Sequence, residues 1–449
     1  MAQRKVRDFI RKKLVHVTPE TKLRDCAKIM YKENVSSVVV LKNNKPLGIV
    51  TDSDLRRLIA ENFNFGESVG SFIRMKKGLV AVDADDDVHE ALSRMLEHGI
   101  KHTVVLDNGL PSGVITIGDI AYSFSPFYIY YTIKLRRAKS KEEVREILES
   151  FKAGIKDFSM ELFDKPDTSP KFIFTTISYV TDTAVRVLAD LLGVPENIVY
   201  AVTGSWGRRE QYLLTDRDTI SIYRLDGEGV DELIDEMVYR EFIEDLEDCM
   251  DEVGFPPCPH GYTSRNYSYS FEDMQKVILK CCKNPEENAV FISILADARA
   301  LIGDEELLVS LKRLMFENLR KNRFLVANSL MYKPAITLFG QAAKEFDIKA
   351  RGIAPVEYPV RALAVVNGIY EVNTELRIRS LADNGIIPRD LAHELIMAYN
   401  ILLAQKIKVQ NEGRNEVLLS SLPEIERKMV ENAMKIVRRF QVYVERNYV

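Results

Sequence analysis

Among its 449 residues the chain has five cysteines, six histidines and one tryptophan, and almost no excess of charge: 62 Lys and Arg against 66 Asp and Glu, a formal net charge of −4. Cys26, Cys249 and Cys258 are scattered, Cys281 and Cys282 are adjacent, and no Cys-x-x-Cys occurs. This spacing supports neither a zinc ribbon nor an ordinary disulfide, and reduced thiols are expected. Cys258 and His260 stand close together, but a zinc site needs two further ligands. A chain this near neutrality, without a long basic stripe, is a poor duplex binder, so nucleic acid is not an expected partner. Apolar runs such as Ala362–Val366 fall far short of the roughly 18 residues that span a bilayer. No apolar stretch follows Met1. The expectation is a cytoplasmic protein with no membrane partner. Apolar residues at 46% and charged residues at 29% exclude wholesale disorder, and the length suggests about three domains at roughly 150 residues each.

What is present begins with a repeat. At an offset of 65 positions, Val15-His-Val17 falls on Val80-Ala-Val82 and Val39-Val-Leu41 on Val104-Val-Leu106. Thr51 falls on Thr116 and Asp54 on Asp119. Each copy reads as a strand, a helix (22–33; 88–98), two β-branched strands and a closing helix, with helical apolar spacing at Leu23, Ala27, Met30 and at Val88, Leu92, Met95. One such unit cannot cover both faces of its sheet, whereas two can pack together with a cleft between them. The copies resemble a tandem pair of CBS domains on Gly48-Ile-Val-Thr51-Asp-Ser-Asp54 and Gly113-Val-Ile-Thr116-Ile-Gly-Asp119. That resemblance implies an adenine nucleotide (AMP, ADP or ATP) as regulatory ligand, met by Thr51, Asp54, Thr116 and Asp119, and a homodimer. A carboxylate accepting from ribose hydroxyls suits the assignment. Thr-x-x-Asp before a helix is also close to a capping box, which needs no ligand.

Six aromatics lie between Tyr122 and Tyr131, and a buried inter-domain or dimer contact is expected there. The basic arm from Arg4 to Lys13 reads as a solvated entry helix.

The second informative segment runs from the apolar strand Ile198–Val202 into Thr203-Gly-Ser-Trp-Gly-Arg-Arg-Glu-Gln211, then to Asp216-Arg-Asp218 and the alternating run 219–223. Gly204 and Ser205 at a strand-to-helix turn let amides and a hydroxyl approach a triphosphate, with the dipole of the following helix aimed at it. Asp216 and Asp218, two apart on a strand, present their carboxylates to one face, as Mg²⁺ (or Mn²⁺) bound with phosphate oxygens requires. Arg208 and Arg209 lie between these elements to neutralise phosphate charge. A metal pair so held polarises an α-phosphate and stabilises a pyrophosphate leaving group.

Gly-Ser followed about ten residues later by Asp-x-Asp resembles the polymerase-β nucleotidyltransferase superfamily. The longer string with Arg208, Glu210, Gln211 and Leu213-Leu-Thr-Asp216 resembles the branch fused to CBS pairs and related to the uridylyltransferase of the nitrogen-signalling protein PII. Later blocks fit the same branch: Gly254–Gly261, Ala296–Asp304, Phe346–Pro355, and Arg361, Thr374 and Arg377. The resemblance implies an NTP donor, an acceptor that is a protein or a small-molecule hydroxyl, and a third carboxylate, for which Asp297 is the candidate. A salt bridge from Asp297 to Arg299, or a helix-surface position, is the structural alternative. Trp206 stands where the family often has Glu or a small residue, and is expected in the nucleotide pocket.

From about Glu305 the pattern is helical, with breakers near Arg351–Pro359, Gly385–Pro388 and Asn411–Asn415, and predicts four to six helices. By resemblance this is a substrate-binding domain in which Lys349, Arg351 and Arg361 present positive charge. The expected architecture is α/β plus α: a tandem CBS (βαββα) pair over 1–125 (repeats about 6–62 and 69–125), an aromatic and helical linker over 126–160, a polymerase-β-like α/β nucleotidyltransferase domain over 161–304, and a helical bundle over 305–449. The leading function is Mg²⁺-dependent nucleotidyl transfer tuned by the CBS pair. A catalytically degenerate nucleotide sensor is the second reading, and an RNA-directed transferase the third.

Overall fold

A computed structural model describes residues 5–10, 13–33, 35–73, 78–121, 127–163, 169–212, 216–225, 230–337 and 342–449. The chain divides into two compact units, Met1–Phe127 and Tyr128–Val449.

In the first unit each copy builds a three-stranded sheet. Strands β1 (His16–Val17), β2 (Ser37–Lys42) and β3 (Lys45–Thr51) form one sheet, and β4 (Ala81–Asp83), β5 (His102–Asp107) and β6 (Leu110–Thr116) form the other; in each the first pair is parallel and the second antiparallel. The β-branched centres of β2 and β5 are fully buried, which fixes their register. The segment that opens each copy packs on the other copy. Val6 and Arg7 donate backbone hydrogen bonds to Asp86 and Ala84, while Val69 and Gly70 donate to Thr21 and Pro19. The expected solvated arm is therefore a docked one, with Lys5 and Arg7 both paired to Asp85; Arg4, Arg11 and Lys12 lie outside the described residues.

In the second unit, β7 (Ile198–Val202), β8 (Thr219–Tyr223), β9 (Ser268–Ser270) and β10 (Arg299–Gly303) form a mixed sheet in the order β10-β7-β8-β9. Every residue of β7 and β8 is buried. The helix Pro170–Leu192 packs behind this sheet against β10 and against the helix Val230–Glu252. By length and composition it is apolar enough to cross a membrane, although polar residues interrupt every apolar run within it, and 83% of its most apolar window is buried inside the protein. Such a helix is the core of its unit.

The segment expected to be a linker joins this core. Helices Phe127–Arg137 and Lys141–Phe163 bury Leu135, Val144, Leu148 and Phe151, and Tyr128 meets Phe172 and Tyr179 edge-on. Tyr128 and Tyr131 are thus core aromatics of the second unit, while Tyr122 and Phe124 lie outside the described residues.

Beyond residue 304 the described residues form six α-helices: Glu305–Asn318, Arg323–Ser329, Ala354–Asn367, Thr374–Asp383, Arg389–Asn411 and Glu424–Tyr448. The expected break at Arg351–Pro359 is instead a π-helical turn, Lys349–Ile353, running directly into Ala354–Asn367. Pro355 sits in the first turn, where no intrahelical donor is needed. Pro359 lies inside the helix and cannot donate to the Pro355 carbonyl, and the Gln441 side chain donates there instead, at 2.9 Å.

Candidate functional site

The site starts where β7 ends. Thr203 is extended, its amide donates to the Asp218 carbonyl at 2.9 Å, and Gly204 turns the chain at φ 59°. A Cβ on Gly204 would stand 2.5 Å from Asp218 Oδ2, so glycine meets two demands here, a left-handed backbone and close approach of a carboxylate. Gly204–Gly207 is a single helical turn. It offers amides to a phosphate but not the macrodipole of a long helix. A Cβ on Gly207 would collide with the Asp297 carbonyl, which seats the turn on the helix Ala289–Asp297.

Asp216 and Asp218 lie just before β8 rather than on it, but the extended alternation holds. Arg217 bridges to Pro257 and points the opposite way, wholly buried, onto Glu247, Asp251 and the Phe255 carbonyl. The two flanking carboxylates face a cleft of about 730 Å³ together with Gly204, Ser205, Cys258 and Lys349. Burial pushes the Asp218 carboxyl up; a hydrogen bond from Cys258 opposes this, and the neighbouring Asp216 carboxylate pushes it further up. Two carboxylates crowded beside a glycine that leaves room for them form a donor set that fits a hard divalent cation. Among the described residues no group of three or more His, Cys, Asp or Glu side chains is arranged to hold a metal.

Asp297 has other partners than those expected. At the end of its helix, 1% exposed, it is bound by Arg208 (2.5 Å), Arg361 (2.6 Å) and Arg377 (2.6 Å). Burial alone would raise its carboxyl; Arg361, Arg208 and Arg377 outweigh that and hold it far below the ordinary carboxylate range. It lines the same cleft as Asp216 and Asp218, with its carboxylate held by arginines, and it does not pair with Arg299, which pairs with Asp182. Arg208 is committed as well, bonded to Asp297, Glu210 and Glu357. Glu210 in turn accepts from Thr374 and Tyr399. A buried ionic cluster thus ties the β7–β8 region to the C-terminal helices, and Arg208 is a cleft wall held in place by carboxylates.

Two more expectations are corrected. Arg209, at φ 58°, does not line the cleft, and its charge helps to lower the Asp182 carboxyl. Trp206 is core rather than pocket: its Nε1 donates to Asp182 at 2.8 Å and its ring stacks on Phe255 at 5.5 Å. The Gly204 geometry gives a direct test. Gly204→Ala is expected to cost about 1–2 kcal/mol for the left-handed backbone and to abolish Mg²⁺-dependent nucleotide binding by displacing Asp218, read by denaturant titration and calorimetry. Undiminished binding would show that the approach of Asp218 is dispensable.

In the first unit two clefts flank the sheets. One of about 560 Å³ is lined by Thr51, Asp54, Arg56 and His102, the other, of about 340 Å³, by Lys13, Thr116 and Asp119. Both Thr-Asp pairs make capping-box bonds: Thr51 N–H and Oγ1 donate to Asp54 Oδ2 at 2.9 and 2.8 Å, and Thr116 does the same to Asp119 at 2.9 and 2.7 Å. Capping and a cleft-facing position are therefore compatible. His102 Nε2 lies 2.8 Å from Ser36 Oγ of the first copy; burial pushes its imidazole down, with Asp52, Asp119 and Asp54 opposing.

Paired βαββα modules followed by a mixed sheet with a Gly-Ser turn, an Asp-x-Asp edge and a helical C-terminal region define a tandem module attached to a domain of nucleotidyltransferase type. The chain matches family models for the CBS domain over 6–61 and 69–125, for "Putative nucleotidyltransferase DUF294" over 160–288, and for "Putative nucleotidyltransferase substrate binding domain" over 321–448. It belongs to the family in which a CBS pair is fused to that nucleotidyltransferase domain and its substrate-binding domain. Curated relatives include an uncharacterized 17.7 kDa protein of Acidianus ambivalens (31% identity; 26% of this chain, 71% of the relative) and an uncharacterized protein of Methanopyrus kandleri (29%; 31% and 71%). Similar solved structures include a CBS domain protein of Pyrobaculum aerophilum complexed with AMP (23% identity; 26% of this chain, 91% of that one; TM-score 0.25) and a conserved protein of Pyrococcus horikoshii (26%; 27% and 93%; TM-score 0.25).

Proposed function

We propose that the second unit transfers NMP from an NTP to an acceptor hydroxyl, of a protein in the manner of the PII uridylyltransferase or of a small molecule, and that the CBS pair tunes this by binding an adenine nucleotide. The observation that carries the reading is the convergence of Gly204, Ser205, Asp216 and Asp218 on one cleft, with Asp218 admitted by the missing Cβ of Gly204. Asp216 and Asp218 hold Mg²⁺ or Mn²⁺, which when bound polarises the α-phosphate and stabilises the pyrophosphate leaving group. Gly204 and Ser205 present a backbone amide and a hydroxyl to the phosphates. The buried cluster around Asp297 fixes the opposite wall, so the acceptor enters a preformed cleft. Heat stabilisation by each of the four NTPs, with and without Mg²⁺, followed by incorporation from α-³²P-labelled NTP, tests the reading. No metal-dependent stabilisation by any NTP would refute it.

A second reading, a nucleotide sensor that no longer catalyses, is favoured by one observation: Asp297 and Glu357 in the cleft lining are paired to arginines, so among the described residues the lining carboxylates outside an ion pair are the two of Asp216 and Asp218. Metal-dependent NTP binding without turnover would select it.

For the CBS pair, the family resemblance and the cleft position of both Thr-Asp pairs support adenine-nucleotide binding, and the resemblance supports a homodimer. Asp54→Ala and Asp119→Ala are each expected to cost about 1 kcal/mol through the lost capping-box hydrogen bonds. Beyond that, Asp54→Ala should weaken AMP the more, since Asp54 lines the larger cleft. Calorimetry in which both variants keep wild-type AMP affinity would leave capping as their whole role.

A further inference from the structure

The transferase cleft holds more cations than available positive charge. Arg208 is spent on Glu210, Asp297 and Glu357, and Arg361 on Asp297. A guanidinium already fixed by charge-assisted bonds has most of its field cancelled at short range, and an arriving phosphate would have to compete with carboxylates for its N–H groups. Lys406 is buried, donates to the Glu210 carbonyl at 2.9 Å and lies over the Phe174 ring.

Lys349 differs from all of these. It opens the π-helical turn Lys349–Ile353, its residue is exposed, and it lines the same cleft as Gly204, Ser205 and the two aspartates. Among the described residues it has no carboxylate at ion-pair distance. It lines this cleft together with the acidic residues Asp216 and Asp218 and with Arg208, Arg361 and Lys406 of the ionic wall. An ammonium on a flexible four-carbon stem is a point charge able to follow a phosphate chain.

We propose that Lys349 is the cation that binds the triphosphate in this cleft, supplying the charge that Arg208 and Arg361, held by carboxylates, do not. The proposal rests on reading the cleft as an NTP site. It moves the phosphate contact from the residues beside the Gly-Ser turn to the helical domain, and leaves Arg208 and Arg361 as the wall.

The test uses the full-length chain with Mg²⁺ and inorganic tripolyphosphate, which lacks the ribose and base that the CBS clefts are expected to recognise. By calorimetry, Lys349→Met should weaken tripolyphosphate about tenfold or more, the loss of one charged hydrogen bond. Lys349→Arg should recover affinity to within about threefold. Lys333→Met, an exposed lysine that does not line the cleft, should match wild type. With NTP as substrate, the Lys349→Met defect should fall mainly on KM. Wild-type affinity in Lys349→Met overturns the proposal, as does an equal loss in Lys333→Met. If the Asp216→Asn, Asp218→Asn double variant loses tripolyphosphate while Lys349→Met keeps it, the cleft reading stands and the role of Lys349 falls. If the wild-type chain takes no tripolyphosphate with Mg²⁺, both fall together.

Discussion

Replacing Asp216 and Asp218 together by Asn is expected to reduce NMP transfer by at least about 10³-fold while leaving the protein at least as stable as wild type. The second half of that expectation separates a site from a structural feature. Asp216 is exposed, and neither carboxylate is in an ion pair among the described residues. The Asp218 carboxyl is raised by burial and by Asp216, so the folded state holds its proton more tightly than the unfolded chain does. Stability therefore falls as pH rises through the interval between the two values, and at neutral pH the charged pair is a cost. Asn removes that cost and also removes the metal ligands. Wild type should gain heat stability from Mg²⁺ with NTP, whereas the double variant should start level or higher and gain nothing. A double variant that incorporates label like wild type would end the enzymatic reading. One that unfolds would show that the two carboxylates are structural.

The largest loss of stability is expected at Asp297. Asp297→Ala leaves Arg361 and Arg377 buried without their carboxylate, and Arg208 with two partners instead of three. Breaking a buried ionic cluster from one side costs roughly 3–5 kcal/mol, because the remaining charges stay desolvated. The pH dependence follows from the depressed carboxyl. Its contribution is complete above the ordinary Asp value of about 3.9 and is lost only as pH falls below that toward the folded value. The difference between wild type and Asp297→Ala in urea titrations should thus shrink in acid, below the ordinary Asp value. A loss under about 1 kcal/mol would mean that water reaches the cluster and screens it. Asp297→Asn, which keeps acceptor oxygen but not charge, should fall between the two.

These two aspartate positions mark how far the sequence carries the argument. The 65-residue offset, the Gly-Ser turn after an apolar strand and the alternation across Asp216-Arg217-Asp218 are local regularities. They are written in neighbouring residues, and the chain alone determined them, along with the helical character of its last third. The partners of Asp297 lie 64, 80 and 89 positions away, and those of the Glu210 carboxylate as many as 189. An ion pair across such distances leaves no periodicity to read, so only the tertiary structure decided that Asp297 joins an arginine cluster, that Arg208 is held by three carboxylates, that Trp206 stacks in the core, and that the opening segments of the CBS copies change places. Backbone geometry and hydrophobic spacing act over a few residues; desolvated charge finds its partner wherever the fold brings one within reach.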